Sequence, residues 1–359
     1  MSQEHPTMRD VARVAGVSLK TVSNVLNGYR YLTPETRAKV EEAIQSLGYR
    51  VNLTARNLRR GSTGLIKLVL PELRNPYFAE LADSVVDEAA RRGLVVLLEQ
   101  YRYQREHELA VLRGDGGQQV DGVLYSPVYV GQDDIDLFAV DFPLVILGES
   151  VFGAPCDHVS MRNIEGGRAQ VEHLLALGRR RIGIIGFNEL PRVSSSQLRY
   201  KGASAALRDA GLAIDPALVT GSGEGRPMSA VRAQWVLSTG SLLMAELLDQ
   251  ETHPDAVVCF NDALALGALH ELTRRGIRVP DDVAVVGFDN VEASEYTQPT
   301  LSTIDPGRDE IARTAVRLLA ERMGMDDDFD SSTGPREILV DFELRARQST
   351  VGDAALSKS

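Results

Sequence analysis

Hydrophobic and polar positions change their period once along this chain, near residue 64. Before that point the spacing is helical. Val11, Val14 and Ala15 form one apolar stripe, and Thr7 with Asp10 three residues later makes a capping-box start. Gly16 breaks this helix. Ser18 then caps a second one running to about Leu26, with Val22, Val25 and Leu26 facing inward. Thr33 and Pro34 open a third, with Val40, Ala43, Ile44 and Leu47 as its stripe and Gly48 as its stop. After Gly64, short continuous apolar runs alternate with helical stretches. The runs include 65–70, 94–98, 122–125, 144–147, 181–186, 256–260 and 283–288; the helices include 78–92, 164–177, 198–210 and 263–275. Such alternation predicts parallel sheets covered on both faces, and its length fits two lobes.

Charge sharpens the division. The net charge is −11, but residues 1–60 carry 10 Lys+Arg against 5 Asp+Glu, and the rest carries 29 against 45. A basic head on an acidic body predicts that the head alone meets a polyanion. Cys156 and Cys259, far apart, exclude a disulfide framework and a Cys-based zinc site. No apolar run approaches 18 residues and no basic-then-apolar leader is visible, so a cytoplasmic protein without membrane contact is expected. No Gly-x-Ser-x-Gly, His-Glu-x-x-His, phosphate-loop or Gly-x-Gly-x-x-Gly signature occurs, so neither an enzyme nor a cofactor is expected.

Two short helices around a tight turn, buttressed by a third, are the helix-turn-helix arrangement, whose second helix fits the major groove. Ser18, Leu19, Lys20, Thr21, Ser23 and Asn24 lie on or before its outward face. Lys20 suits guanine O6/N7, Asn24 suits adenine N6/N7, and the hydroxyls suit phosphates or bases. Read as spacing alone, a generic three-helix bundle stays open.

The runs Met8-Arg9-Asp10-Val11-Ala12-Arg13-Val14-Ala15-Gly16-Val17-Ser18, Thr21-Val22-Ser23-Asn24-Val25-Leu26-Asn27, Thr33-Pro34-Glu35-Thr36-Arg37 and Leu47-Gly48-Tyr49 resemble the head of the LacI/GalR family of bacterial transcription regulators. That resemblance adds Asn27, Tyr49 and Asn52 to the DNA-binding candidates. Asn24 stands where the family often carries Arg, which leaves the base read there open. Residues 50–61 resemble the family's hinge helix, which folds when a dimer binds DNA. By position Leu58 matches the leucine that wedges between base steps in the minor groove, a contact that exchanges stacking energy for a bent site. Ala55 permits close helix approach there, and Arg56 and Arg59 suit phosphates.

The resemblance runs on through Asn75-Pro76-Tyr77-Phe78, Asn261-Asp262-Ala263-Leu264-Ala265-Leu266-Gly267, Val279-Pro280-Asp281-Asp282-Val283 and Val286-Gly287-Phe288-Asp289. It implies two doubly wound parallel α/β lobes of periplasmic-binding-protein type around a small effector, with an all-α helix-turn-helix head at the N-terminus. The expected division is 1–50 head, 51–62 hinge, 63–349 core and 350–359 tail. The first lobe is expected over about 63–162 and 294–325, the second over about 163–293 and 326–349.

Positions matching the family's effector contacts are Arg199, Trp235, Asn261 and Asp289, with Tyr77, Phe78, Ser126, Glu149 and Met161 as further lining candidates. Asn261 also reads as a helix N-cap. Arg179-Arg180-Arg181 reads as a solvated helix end and Asp326-Asp327-Asp328 as an exposed acidic loop. The implied protein is a homodimeric repressor that binds a near-palindromic double-stranded operator. Its effector is expected to be a mono- or oligosaccharide. A purine effector and a transporter-linked solute-binding protein are the alternatives.

Overall fold

The computed structural model describes residues 6–26, 29, 31–49, 62–102, 104–114, 120–189, 193–222, 234–330 and 332–356, and divides into two units, Met1–Thr63 and Gly64–Ser359. The expected hinge 51–62 lies outside the described residues except at its last position.

The first unit is built by its caps. Helix α1 (Met8–Ala15) starts where the Thr7 hydroxyl accepts the Asp10 N–H, while the Asp10 carboxylate accepts the Thr7 N–H at 3.0 Å. It ends on Gly16, whose φ of 64° suits a residue without Cβ. Helix α2 (Leu19–Leu26) follows Ser18, whose hydroxyl accepts the Thr21 N–H at 3.1 Å. Helix α3 (Pro34–Leu47) has Thr33 as cap, Pro34 in its first turn and Gly48 at φ 58° after its end. Val11, Val22 and Val40, one from each helix, are fully buried, and Ala12, Val25, Ala43 and Tyr49 complete the core around them.

In the second unit the chain first lays down β1 (Leu65–Leu70), α4 (Pro76–Arg91), β2 (Val95–Gln100), α5 (Arg105–Leu112), β3 (Gly122–Tyr125), β4 (Leu144–Leu147) and β5 (Asp157–Met161). It then crosses to α6 (Asn163–Ala176), β6 (Ile182–Asn188), α7 (Ser195–Asp209), β7 (Val219–Ser222), α8 (Leu237–Leu248), β8 (Ala256–Cys259), α9 (Asp262–Arg274), β9 (Ala284–Phe288) and β10 (Ser302–Asp305). It closes with α10 (Arg308–Arg322), β11 (Glu337–Val340), β12 (Glu343–Arg345) and the helical segment α11 (Gln348–Leu356), kinked at Gly352. Two six-stranded sheets result, ordered β11-β5-β4-β3-β1-β2 and β12-β10-β9-β8-β6-β7. Every strand pairing is parallel except β10 with β12. The central strands are buried on both faces, which is why their sequences read as unbroken apolar runs.

The lobe boundaries differ from the sequence expectation at two of three crossings. The second crossing, expected near 294, falls between Asp305 and Arg308, because β10 stays in the second sheet while α10 packs into the first lobe's core beside Ile66, Leu68 and Leu81. The third, expected near 326, falls between Val340 and Glu343, because β11 pairs with β5. Ser302–Asp305 holds a single apolar residue and Glu337–Val340 a run of only three, too short to mark a strand. The expected tail is also partly docked. Its first residue, Thr350, is buried with its hydroxyl 2.6 Å from that of Ser302.

Candidate functional site

In parallel sheets, side chains just past the carboxyl ends of the strands face the crevice. Ser126 follows β3, Glu149 follows β4, Met161 ends β5, Asn188 ends β6 and Asp289 follows β9. All five line one cleft between the lobes, with a cavity volume of about 180 Å³. Among the described residues Arg199, Trp235, Tyr77 and Phe78 line it too. The structure thus brings together eight of the nine expected effector residues.

The first-lobe wall starts at a helix cap. Asn75 accepts the Tyr77 N–H at 3.1 Å and Pro76 opens α4, so Tyr77 and Phe78 fall in the first turn with their rings edge to face at 5.4 Å. Burial, together with the Asp289 and Glu149 carboxylates, raises the Tyr77 hydroxyl far above its ordinary range, so it stays a hydrogen-bond donor.

The second-lobe wall is organised by Arg199 on α7. Gly167 and Gly202 let α6 and α7 touch backbone to backbone: a Cβ on Gly202 would overlap the Ile164 carbonyl, and one on Gly167 the Arg199 carbonyl. The guanidinium is 3% exposed. It donates through Nε to the Asn163 side-chain oxygen at 2.8 Å, through one Nη to the Phe260 carbonyl and through the other to the Met161 sulfur at 3.4 Å. It lies 3.5 Å above the Phe288 ring, 5.4 Å from the Trp235 ring and 3.8 Å from the Asp289 carboxylate. Burial lowers the Arg199 pKa and raises that of Asp289 well above the carboxylate range, each partly offset by the other. Guanidinium remains protonated under such a shift, so Arg199 is the fixed charge of the site. Asp289 is held at φ 119°, a strained conformation for a residue with a Cβ, by its N–H bond to the Ile304 carbonyl at 2.8 Å.

Trp235 donates its indole N–H to the Gly186 carbonyl at 3.1 Å, which fixes the ring against the cleft. Asn261 is the expected residue that does not line it. Fully buried, its amide oxygen accepts the Leu264 N–H at 2.8 Å as the cap of α9, and its nitrogen donates to the Trp235 carbonyl at 3.2 Å. Both ends of the amide are thereby engaged inside the lobe. Sequence reasoning did not single out Asn75, Asn188, Asn163 or the triplet Ser194-Ser195-Ser196 as site residues. The triplet's signal was its place one helical turn before Arg199.

In the head, Ser18, Leu19 and Lys20 are exposed, and Thr21, Ser23 and Asn24 are half-buried along α2. Tyr49 departs from expectation: its ring is 9% exposed and packs in the head core, because the turn at Gly48 folds it back under α3. Asn27, Asn52, Ala55, Arg56, Leu58 and Arg59 lie outside the described residues. Tyr29 and Tyr31, not singled out from the sequence, are 50% and 87% exposed and meet edge to face at 5.7 Å between α2 and α3.

A helix-turn-helix head joined to a two-lobed core with a polar, aromatic-walled cleft defines a class, the DNA-binding regulators that respond to a small effector. The chain belongs to the LacI family of bacterial transcriptional regulators. Residues 7–52 match the family model described as bacterial regulatory proteins, lacI family, and residues 171–350 that of a periplasmic binding protein-like domain. The HTH-type transcriptional repressor PurR of Pasteurella multocida is 34% identical over 325 residues, 88% of this chain and 92% of that one. The structure of a CelR–cellobiose complex is similar with a TM-score of 0.67 at 30% identity, over 96% of this chain and 99% of that one. The Lac repressor dimer bound to operator and the anti-inducer ONPF is similar with a TM-score of 0.78 at 27% identity, over 97% and 99%. The relatives are transcriptional regulators, and no helix among the described residues is long and apolar enough to cross a membrane.

Proposed function

We propose that this regulator is a cytoplasmic, homodimeric repressor of a near-palindromic operator, that a neutral mono- or oligosaccharide in the cleft controls it, and that it catalyses no reaction. The observation that carries the sugar reading is the grouping of Arg199, Asp289, Glu149 and Asn188 beside the Trp235 ring. Planar polar groups pair adjacent hydroxyls, and an aromatic face covers the CH surface of a sugar. The CelR structure, solved with cellobiose, supports the reading. The Lac repressor structure, a dimer on its operator, supports the dimer and the duplex partner.

Each head of the dimer places Lys20 and Asn24 in a major groove, and Leu58 wedges at the operator centre. The effector acts by its differential affinity for two lobe arrangements, only one of which lets the hinges pair. A purine is the second reading, favoured by the Tyr77–Phe78 pair on the first-lobe wall.

Trp235 is the chain's only tryptophan, so its fluorescence reports the cleft. Titration with D-glucose, D-galactose, cellobiose and hypoxanthine is expected to give a saturable change with one of the sugars. Saturation with hypoxanthine alone would establish the purine reading in its place.

A further inference from the structure

Asn163 touches both walls of the cleft without lining it. It is the first residue of α6, separated from β5 by Arg162 alone, where the chain first passes from one lobe to the other. Its side chain is 2% exposed. Its Oδ1 accepts Arg199 Nε–H at 2.8 Å, and its Nδ2 donates to the Glu149 carboxylate at 3.3 Å and the Met161 carbonyl at 3.4 Å. Chemistry fixes that orientation. A guanidinium only donates and a carboxylate only accepts, so the oxygen must face Arg199 and the nitrogen Glu149.

We infer that Asn163 is a positioning residue that couples the two walls, transmitting the placement of Arg199 on the second lobe to Glu149 on the first, so that occupancy of the cleft and lobe arrangement change together. A carboxamide suits this role because it donates and accepts at once. Aspartate would keep the acceptor for Arg199 but set a second carboxylate against Glu149. An aliphatic side chain would leave the Arg199 Nε–H buried and unpaired. The part of this inference that concerns occupancy rests on the cleft being the effector site; the part that concerns lobe arrangement does not.

The test is a swap of hydrogen-bond polarity in the full chain. N163D turns the donor facing Glu149 into an acceptor, and adding E149Q supplies a donor from the other side. Spin labels on exposed Leu137 of the first lobe and Leu242 of the second, each replaced by Cys in a C156S background, report the interlobe distance by pulsed EPR. Cys259 is fully buried and stays unlabelled. N163D is expected to shift or broaden the distance distribution, and N163D/E149Q to return it to that of the parent. An N163D distribution identical to the parent's, or one that E149Q does not restore, overturns the inference. Should N163D fail to fold, the inference requires the double variant to fold; failure of both contradicts it.

The four-compound Trp235 titration separates this from the effector reading. With a compound that binds, N163D should lose about tenfold in affinity, the scale of one charge-assisted hydrogen bond. Equal affinity in N163D and its parent overturns the occupancy part. If no compound binds the parent while the EPR swap still holds, the coupling stands and the effector reading fails.

Discussion

Asp262 carries a carboxyl where no water reaches it. Burial pushes its pKa up to about 7, although the Thr303 hydroxyl at 2.6 Å and the Val291 N–H at 3.0 Å favour the charged form. Between the ordinary carboxyl range and about 7 the folded chain keeps a proton that the unfolded chain has released. Folding stability therefore falls as pH rises from 5, by about 2 kcal/mol, and levels off above 7. D262N removes this dependence. Burial lowers the His173 pKa, so His173 contributes with the opposite sign, gaining stability as pH rises towards 6.5. Urea unfolding of D262N and its parent at several pH values cancels that common contribution, and equal slopes would show that Asp262 stays ionised. Asp157 belongs to a lower window. Burial alone would raise its carboxyl, but Arg322 and Arg336 hold it down to about 2, so its contribution is lost only as pH falls towards 2.

At the scale of elements, the site depends on how closely α6 and α7 approach. Gly202→Ala forces a methyl against the Ile164 carbonyl, and the helices must part. The expected cost is about 1–3 kcal/mol, read from the urea midpoint. A core of parental stability would show that the helices yield without strain. These helices also show which elements the sequence made legible. Caps such as Thr7–Asp10 and Thr33–Pro34, and buried strands such as Leu144–Leu147, carry local signals, and both appear where expected. β10 and β11 carry little of this signal, since β10 is placed by pairing with β9 and β11 by pairing with β5, far away in sequence. The site divides the same way. Asp289 was legible because it matches the family's effector contacts, and Glu149 as a further lining candidate. Asn163 was not, because its role exists only once Arg199 and Glu149, 36 residues after it and 14 before it, converge on one amide. Asn261 shows the converse: a residue just past a strand end can be turned inward by its own helix cap.

At the scale of the whole molecule, a near-palindromic operator implies two heads related by two-fold symmetry. Sedimentation equilibrium of the free protein should give twice the 39.2 kDa of one chain, and a single-chain mass at micromolar concentration would remove the dimer from the account. The charge division has a consequence at the same scale. The head's excess of cations meets phosphates while the acidic body is repelled, so affinity for duplex should fall steeply with salt. The measurement that tests the central claim most directly joins head and cleft. A duplex selected from a random pool by the full chain is labelled, and its affinity is read by fluorescence anisotropy with and without the compound that saturates Trp235. The account predicts a change of about fivefold or more for the parent chain. It predicts none for R199K at the same compound concentration, since lysine lacks the planar fork that Asn163, Phe260 and Met161 hold. Unchanged operator affinity in the saturated parent, or an equal change in R199K, would contradict it.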